Sequence, residues 1–283
     1  MKRLYQLAAL VLLASPAAAF AQSCTTITAV PAVISAPGKY CLASDFTINS
    51  TTAKAININA SDVTLDCDGH TLKNAATANN GTSAGIYIGN RNNIVVKNCR
   101  VIGGFQNGID LFQTNTQPNK NYYVQIRDNY VAGPFWHGIR AYGSALEVTG
   151  NKVYDVGGQV NTYAIGIRLG GSTSGFRQHI VRDNLVVGTN SPASAAYGIF
   201  SDGSLSSVYA QNVVAGTSAS AGKVTYGMYI TGTFNRVSDN HVTGVGSPDD
   251  TAIFTTDGST SCFDNYLRSA TRTLNCDATM GNF

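Results

Sequence analysis

The chain has 283 residues, 12% of them charged and 43% hydrophobic, with a formal net charge of +3. Fifteen of its acidic residues are Asp and one, Glu147, is Glu, while Gly contributes 29 residues. So few strong helix formers exclude a helical bundle, the apolar share excludes a disordered chain, and the near-neutral balance gives no electrostatic support for nucleic-acid binding.

Residues 1–21 read as a secretory signal peptide. Lys2 and Arg3 precede the short apolar run Leu7–Leu13, and Ala19-Phe20-Ala21 is an A-x-A cleavage site before Gln22. The run is too short for a membrane span, and no later stretch is long and apolar enough for a transmembrane segment. Cys24 follows closely, but Ala21-Gln22-Ser23-Cys24 lacks the Leu and small-residue pattern of a lipid attachment site. A secreted or periplasmic protein is expected. Without Lys2 and Arg3 it carries 17 basic and 16 acidic residues.

Export makes disulfides the expected state of the six cysteines. Six allow 15 pairings, and their positions point to three local bridges, Cys24–Cys41, Cys67–Cys99 and Cys262–Cys276. No C-x-x-C pair occurs and no His sits at zinc-ligand spacing, so no metal site is expected from them. Residues 22–54 are expected to cap the first coil, held by the first bridge, and residues 268–283 to form a closing cap and tail, held by the third.

Between them, residues 55–267 repeat. A phrase of Gly, an apolar residue, a variable residue and an apolar or small one recurs at Gly85, Gly108, Gly138, Gly166, Gly198 and Gly227, with a degenerate copy at Ala252. Each is followed by a short apolar strand ending in Asn: Asn98, Asn129, Asn151, Asn184, Asn212, Asn240 and Asn265. Their spacings of 22 to 33 residues, with an apolar period of two, predict a β-solenoid whose coils bury a core only by stacking. Scarce Leu and helix formers exclude leucine-rich repeats, and the period excludes helical solenoids. What remains is an all-β, right-handed parallel β-helix of about eight rungs, with stacked Asn in its turns. Extended loops are expected only at Thr114–Asn121, Gly157–Thr162 and Ser172–Arg177.

These phrases resemble those of the right-handed parallel β-helix repeat proteins, the pectate-lyase-like superfamily. The opening segment, with Pro37-Gly38-Lys39-Tyr40-Cys41-Leu42, Asp45-Phe46, Val63-Thr64-Leu65-Asp66 and Gly69-His70-Thr71-Leu72, is similar to the start of the NosD-like carbohydrate-binding and sugar-hydrolase group. The resemblance implies the fold and polysaccharide as the partner. It does not choose between lyase, hydrolase, epimerase, adhesin and non-catalytic protein.

Alternation places Ile86, Ile109, Ile139, Ile167, Ile199, Met228 and Ile253 inward, and the residue after each outward. That outer column reads Tyr87, Asp110, Arg140, Arg168, Phe200, Tyr229 and Phe254. Two positions on lies a second, with Phe112, Tyr142 and Asp202. Charge flanked by aromatic rings suits an acidic polysaccharide; the same residues also make a plain surface ladder with Asp110 paired to Arg140. A lyase acting by β-elimination needs a base beside the uronate carboxylate and a cation upon it. Arg140 and Arg168, with Tyr142 or His137 as proton donor or base, are the catalytic candidates. Asp110, Phe112, Tyr87, Trp136, Asp202, Phe200 and Tyr229 are the substrate-binding candidates. His137, in Phe135-Trp136-His137, is open to rung packing or sugar contact. His179 and His241, on strands without an acid partner, are expected at the surface.

The resemblance to pectate lyases implies Ca²⁺ as a cofactor to consider, but the sequence shows no site for it. Asp66, Asp128, Asp183, Asp239 and Asp264, each before an Asn or Cys of the turn, read instead as turn-capping residues of the repeat. A glycoside hydrolase fits least, because Asp110 and Asp202 stand about 14 Å or more apart by rung spacing, beyond what paired carboxylates need. The alternative to a polysaccharide-binding or cleaving protein is a non-catalytic cell-surface, envelope or adhesive protein.

Overall fold

In the computed structural model the described residues are 24–77, 81–112, 122–157, 163–170, 176–246, 250–256, 258–268, 271–274 and 276. The regular structure among them is strand, paired in parallel into three long sheets of eleven, ten and nine strands. A front-sheet strand such as His137–Ala141 is followed by Ser144–Thr149 in the second sheet and Lys152–Tyr154 in the third. The chain then returns to the front sheet at Ala164–Leu169. Each such circuit is one coil, and neighbouring coils pair edge to edge along all three sheets. The segment 22–54 supplies Ala32–Ile34, Gly38–Leu42 and Phe46–Ile48, which pair onto the next coil in the same three sheets. The signal segment and most of the three expected loops lie outside the described residues.

The core is the inward half of each alternating strand. Ile86, Ile109, Ile139, Ile167, Ile199, Met228 and Ile253 are all fully buried, as are Val96, Val131, Val153 and Val186 from the other sheets. The recurring Gly has a steric cause. A Cβ on Gly138 would stand 2.3 Å from Val153 Cγ1 and 2.5 Å from the Gly166 carbonyl of the next coil. Only a residue without a side chain fits that approach.

The turn after the second sheet corrects the expected ladder by one position. Asn129, Asn151, Asn184, Asn212, Asn240 and Asn265 stack as expected, all buried. Asn151 Nδ2 donates to Asn184 Oδ1 (3.0 Å) and to the Ile126 carbonyl (2.8 Å), and its Oδ1 accepts from the Asn129 amide (3.1 Å) and Asn129 Nδ2 (3.0 Å). The pattern repeats to Asn265. Asn98 is not a member: Cys99 takes that place, donating its backbone N–H to Asn129 Oδ1 at 3.0 Å. Asn98 holds φ 53°, the left-handed turn position, as do Asp128, Gly150, Asp183, Gln211, Asp239 and Asp264. The ladder residue and the left-handed residue are therefore neighbours, not one residue. A short polar or glycyl residue suits the second because αL is costly for other side chains.

All three bridges form, with Cα–Cα distances of 5.8 Å for Cys24–Cys41, 4.7 Å for Cys67–Cys99 and 5.6 Å for Cys262–Cys276. Such bonds belong to an oxidising, extracytoplasmic environment. No described helix is long and apolar enough to cross a membrane. One expectation of exposure fails: His179 is buried to 1%, its backbone N–H donating to Ser207 Oγ.

Candidate functional site

Parallel register aligns Tyr87, Asp110, Arg140, Arg168, Phe200, Tyr229 and Phe254 in one column on the outside of the front sheet. Phe112 and Tyr142 lie beside its charged part, their rings 6.1 Å apart. Asp202 stands further along and is exposed, with the Thr231 hydroxyl donating to it at 3.5 Å.

The column does not present Asp110 to solvent. Asp110 is only 2% exposed, because Arg140 covers it with two hydrogen bonds, Nε to Oδ1 and Nη2 to Oδ2, both 2.7 Å. Phe112 packs over the guanidinium at 4.7 Å, with Tyr142 at 5.7 Å and Trp136 at 5.9 Å. Burial pulls the Arg140 pKa down, but the Asp110 carboxylate outweighs it and leaves the pKa above its ordinary value. Tyr142 is raised, by burial first, against the opposing pull of Arg168 and Arg140.

A hydrogen-bond chain leads away from this pair. Asn107 Nδ2 donates to Asp110 Oδ2 at 2.9 Å, so the amide turns its Oδ1 to His137 Nδ1, 2.7 Å away. An amide oxygen can only accept, so Nδ1 carries the proton and Nε2 is left as an acceptor. Nε2 faces Arg168 Nη1 at 3.5 Å. His137 is fully buried, under Trp136 (ring centroids 4.6 Å) and Tyr163 (6.1 Å). Burial, then Arg140 and Arg168, hold its imidazole well below the ordinary range, so it is neutral. The ring is packed among these side chains and does not reach the surface.

Arg168 is the cation left over. Its Nη1 donates to Tyr163 Oη at 3.0 Å, and among the described residues no carboxylate lies within ion-pair distance of it. Its Nε and Trp136 Nε1 are buried donors with no acceptor among the described residues. Phe200, Tyr142 and Tyr163 surround the guanidinium at 5.3 to 5.6 Å. Beyond it the charge ends and rings take over. Phe200 stacks on Tyr229 (5.3 Å, 3°) and Tyr229 on Phe254 (4.8 Å, 11°), while Tyr197 stacks on Tyr226 (5.6 Å, 11°) alongside. At the other end Tyr87 is half-buried, with the Lys54 ammonium 5.6 Å from its ring.

Asn107, Tyr163, Tyr197 and Tyr226 join the site without having been singled out by sequence. Asn107, Tyr197 and Tyr226 each precede the recurring Gly, where the register passes from the residue before to the residue after it and simple alternation fails. Recurrence of polar or aromatic residues at that position was the available signal. Tyr163 lies outside the phrase and left none.

Among the described residues no three His, Cys, Asp or Glu side chains gather in one place. Asp128, Asp183, Asp239 and Asp264 occupy the left-handed turn column, and Asp66 is one position earlier, paired to Lys97 at 2.7 Å. Two shallow concavities, one around Arg100 and Tyr130 and one around Arg182 and Arg236, are lined by no residue of the charged column.

Residues 23–181 match the family described as a right handed beta helix region. The chain belongs to that family. No curated protein matches it significantly. Solved structures similar to this right-handed β-helix chain include the A-module of a mannuronan C-5 epimerase from Azotobacter vinelandii. That match has 11% identity, covers 87% of this chain and 84% of the other, and has a TM-score of 0.40. A GH136 lacto-N-biosidase from Eubacterium ramulus has 10% identity, 89% and 60% coverage and a TM-score of 0.45. An alginate lyase from Paenibacillus has 12% identity, 81% and 98% coverage and a TM-score of 0.34.

Proposed function

We propose that this chain is an exported protein that binds an acidic polysaccharide along the outside of the front sheet, with Arg168 as the carboxylate-binding group. The observation that carries the reading is Arg168 itself: a guanidinium with no acidic partner among the described residues, ringed by Tyr142, Tyr163 and Phe200. A planar cation offers two parallel donors to a carboxylate, and flanking rings offer faces to the sugar. The Asp110–Arg140 pair and the Asn107–His137 chain hold that cation in place from one side.

Binding fits this constellation better than cleavage. Elimination needs a group that accepts a proton at the substrate. Arg140 is kept charged by Asp110, Tyr142 is held protonated, and the neutral His137 is fully covered. Fluorescence of Trp136, the single Trp, tests the proposal. Titration with polygalacturonate, alginate and hyaluronan should change it for at least one, without a rise in 235 nm absorbance. Arg168→Gln should weaken that binding at least tenfold. Binding that survives the substitution unchanged, or none to any of the three, defeats the reading and leaves a purely structural role; growth of 235 nm absorbance makes the protein a lyase instead.

A further inference from the structure

The charge of the outer column is confined to one half, while the same sheet also holds Arg177 on Phe176–Arg177 and Arg272 on Thr271–Leu274. Asp110, Arg140 and Arg168 carry all of it on their column, and the next three coils present Phe200, Tyr229 and Phe254, with Tyr197 and Tyr226 beside them. On the strands Ala196–Leu205, Thr225–Thr233 and Thr251–Thr255 the one charged residue is Asp202, an anion. Nearby, Asp250 is buried and accepts from the Thr225 N–H, and Lys223 sits in the exposed turn before Thr225. Phe200, Tyr197, Tyr226, Tyr229 and Phe254 are all half-buried, their rings set in near-parallel stacks.

A glycan lying along the column would cross one coil about every 4.8 Å. A homopolyuronate brings a carboxylate with every sugar. Only one would meet Arg168; the next would lie over rings and near Asp202, where it loses water and gains no cation. An uncharged sugar unit loses nothing there and gains stacking. From this charge pattern, and resting on the acidic-polysaccharide reading above, we infer that the site selects a heteropolysaccharide. Its uronate sits at Arg168 and its uncharged units lie over Phe200 and Phe254, the two rings between which Tyr229 is stacked.

The experiment compares hyaluronan, in which uronate alternates with an uncharged amino sugar, with polygalacturonate, in which every unit is charged. Binding is read from Trp136 fluorescence and by calorimetry on the mature, disulfide-bonded protein. We expect hyaluronan to bind at least tenfold more tightly. Tyr229→Ser should erase that preference, Tyr229→Phe should keep it, and Arg168→Gln should weaken both ligands; Phe254→Ser serves as a second ladder variant should Tyr229→Ser not fold. Equal or tighter binding of polygalacturonate, with Arg168→Gln still damaging, overturns the selectivity and leaves the acidic-polysaccharide reading standing. Hyaluronan preference that survives both Tyr229→Ser and Phe254→Ser also overturns it. Loss of neither ligand in Arg168→Gln brings down the underlying reading itself.

Discussion

Arg140 and Asp110 face each other across adjacent coils in a two-point ion pair, with side chains only 13% and 3% exposed. The pair neutralises the middle of the charged column and leaves Arg168, one coil further on, as that column's cation with no carboxylate partner among the described residues. Breaking one half of such a pair leaves a charge buried without its partner, which costs about 3 kcal/mol or more. We expect Asp110→Asn to lower unfolding stability by about that amount in urea titration. The double change Asp110→Leu with Arg140→Met should recover most of the loss, because the Phe112, Tyr142 and Trp136 rings can pack on apolar chains.

The column and the solenoid could be read from sequence because both rest on a recurring phrase, and the disulfide pairs because the cysteines fall into three local pairs. A residue two after a recurring Gly must face out, and the same position in the next coil must lie beside it. Burial could not be read that way. Alternation says which face a side chain leaves by, not what then covers it. Asp110 leaves by the outer face and is sealed by Arg140; His137 is sealed by Trp136 and Tyr163. The misplaced Asn98 has the same kind of cause. Asn suits both the amide ladder and the left-handed turn beside it, so composition alone does not tell the two positions apart.

That distinction predicts two different costs for Asn substitutions. Asn151 exchanges five hydrogen bonds with its neighbours and is fully buried. Asn151→Ala strands several buried donors and acceptors and should cost about 3 kcal/mol. Asn98→Gly keeps the αL backbone and loses one bond, from Nδ2 to Asp66 Oδ1 at 3.0 Å. It should change stability by less than about 1 kcal/mol. Equal losses for the two in urea unfolding would contradict the ladder assignment.

Acid should weaken the fold well above the carboxylate range. His137 is held well below its ordinary pKa by burial and then by Arg140 and Arg168, and His179 is brought down to about 4 by burial. Below pH about 6.5 the unfolded chain binds protons at both rings that the folded chain refuses, so stability falls as pH drops. His179 alone should remove about 2 kcal/mol between pH 7.5 and pH 5. Asp66, whose pKa is lowered in the fold, adds a further loss only as pH falls below about 4. Urea midpoints across this range give the slope, and His179→Met should flatten it between pH 7 and 5. A flat profile in the parent protein would mean that neither imidazole is desolvated.

The three bridges should differ in their answer to reductant. Cys67 and Cys99 are 0% and 1% exposed, under the turn that starts the third sheet, whereas Cys24 and Cys41 are half-buried in the first coil. A reducing thiolate must reach a sulfur to attack it. Under native conditions dithiothreitol followed by alkylation and mass spectrometry should label Cys24 and Cys41 first and leave Cys67 and Cys99 for last. The protected bridge also closes the longest loop, 32 residues in sequence separation. Chain entropy assigns such a loop about 4 kcal/mol. Cys67→Ala with Cys99→Ala should therefore destabilise the protein more than Cys24→Ala with Cys41→Ala, whose bridge spans 17 residues at the end of the solenoid. The gap should exceed the few tenths of a kcal/mol that loop length alone supplies. The reason is that the inner pair also fills the first place of the Asn ladder, and its loss loosens the partner that donates to Asn129.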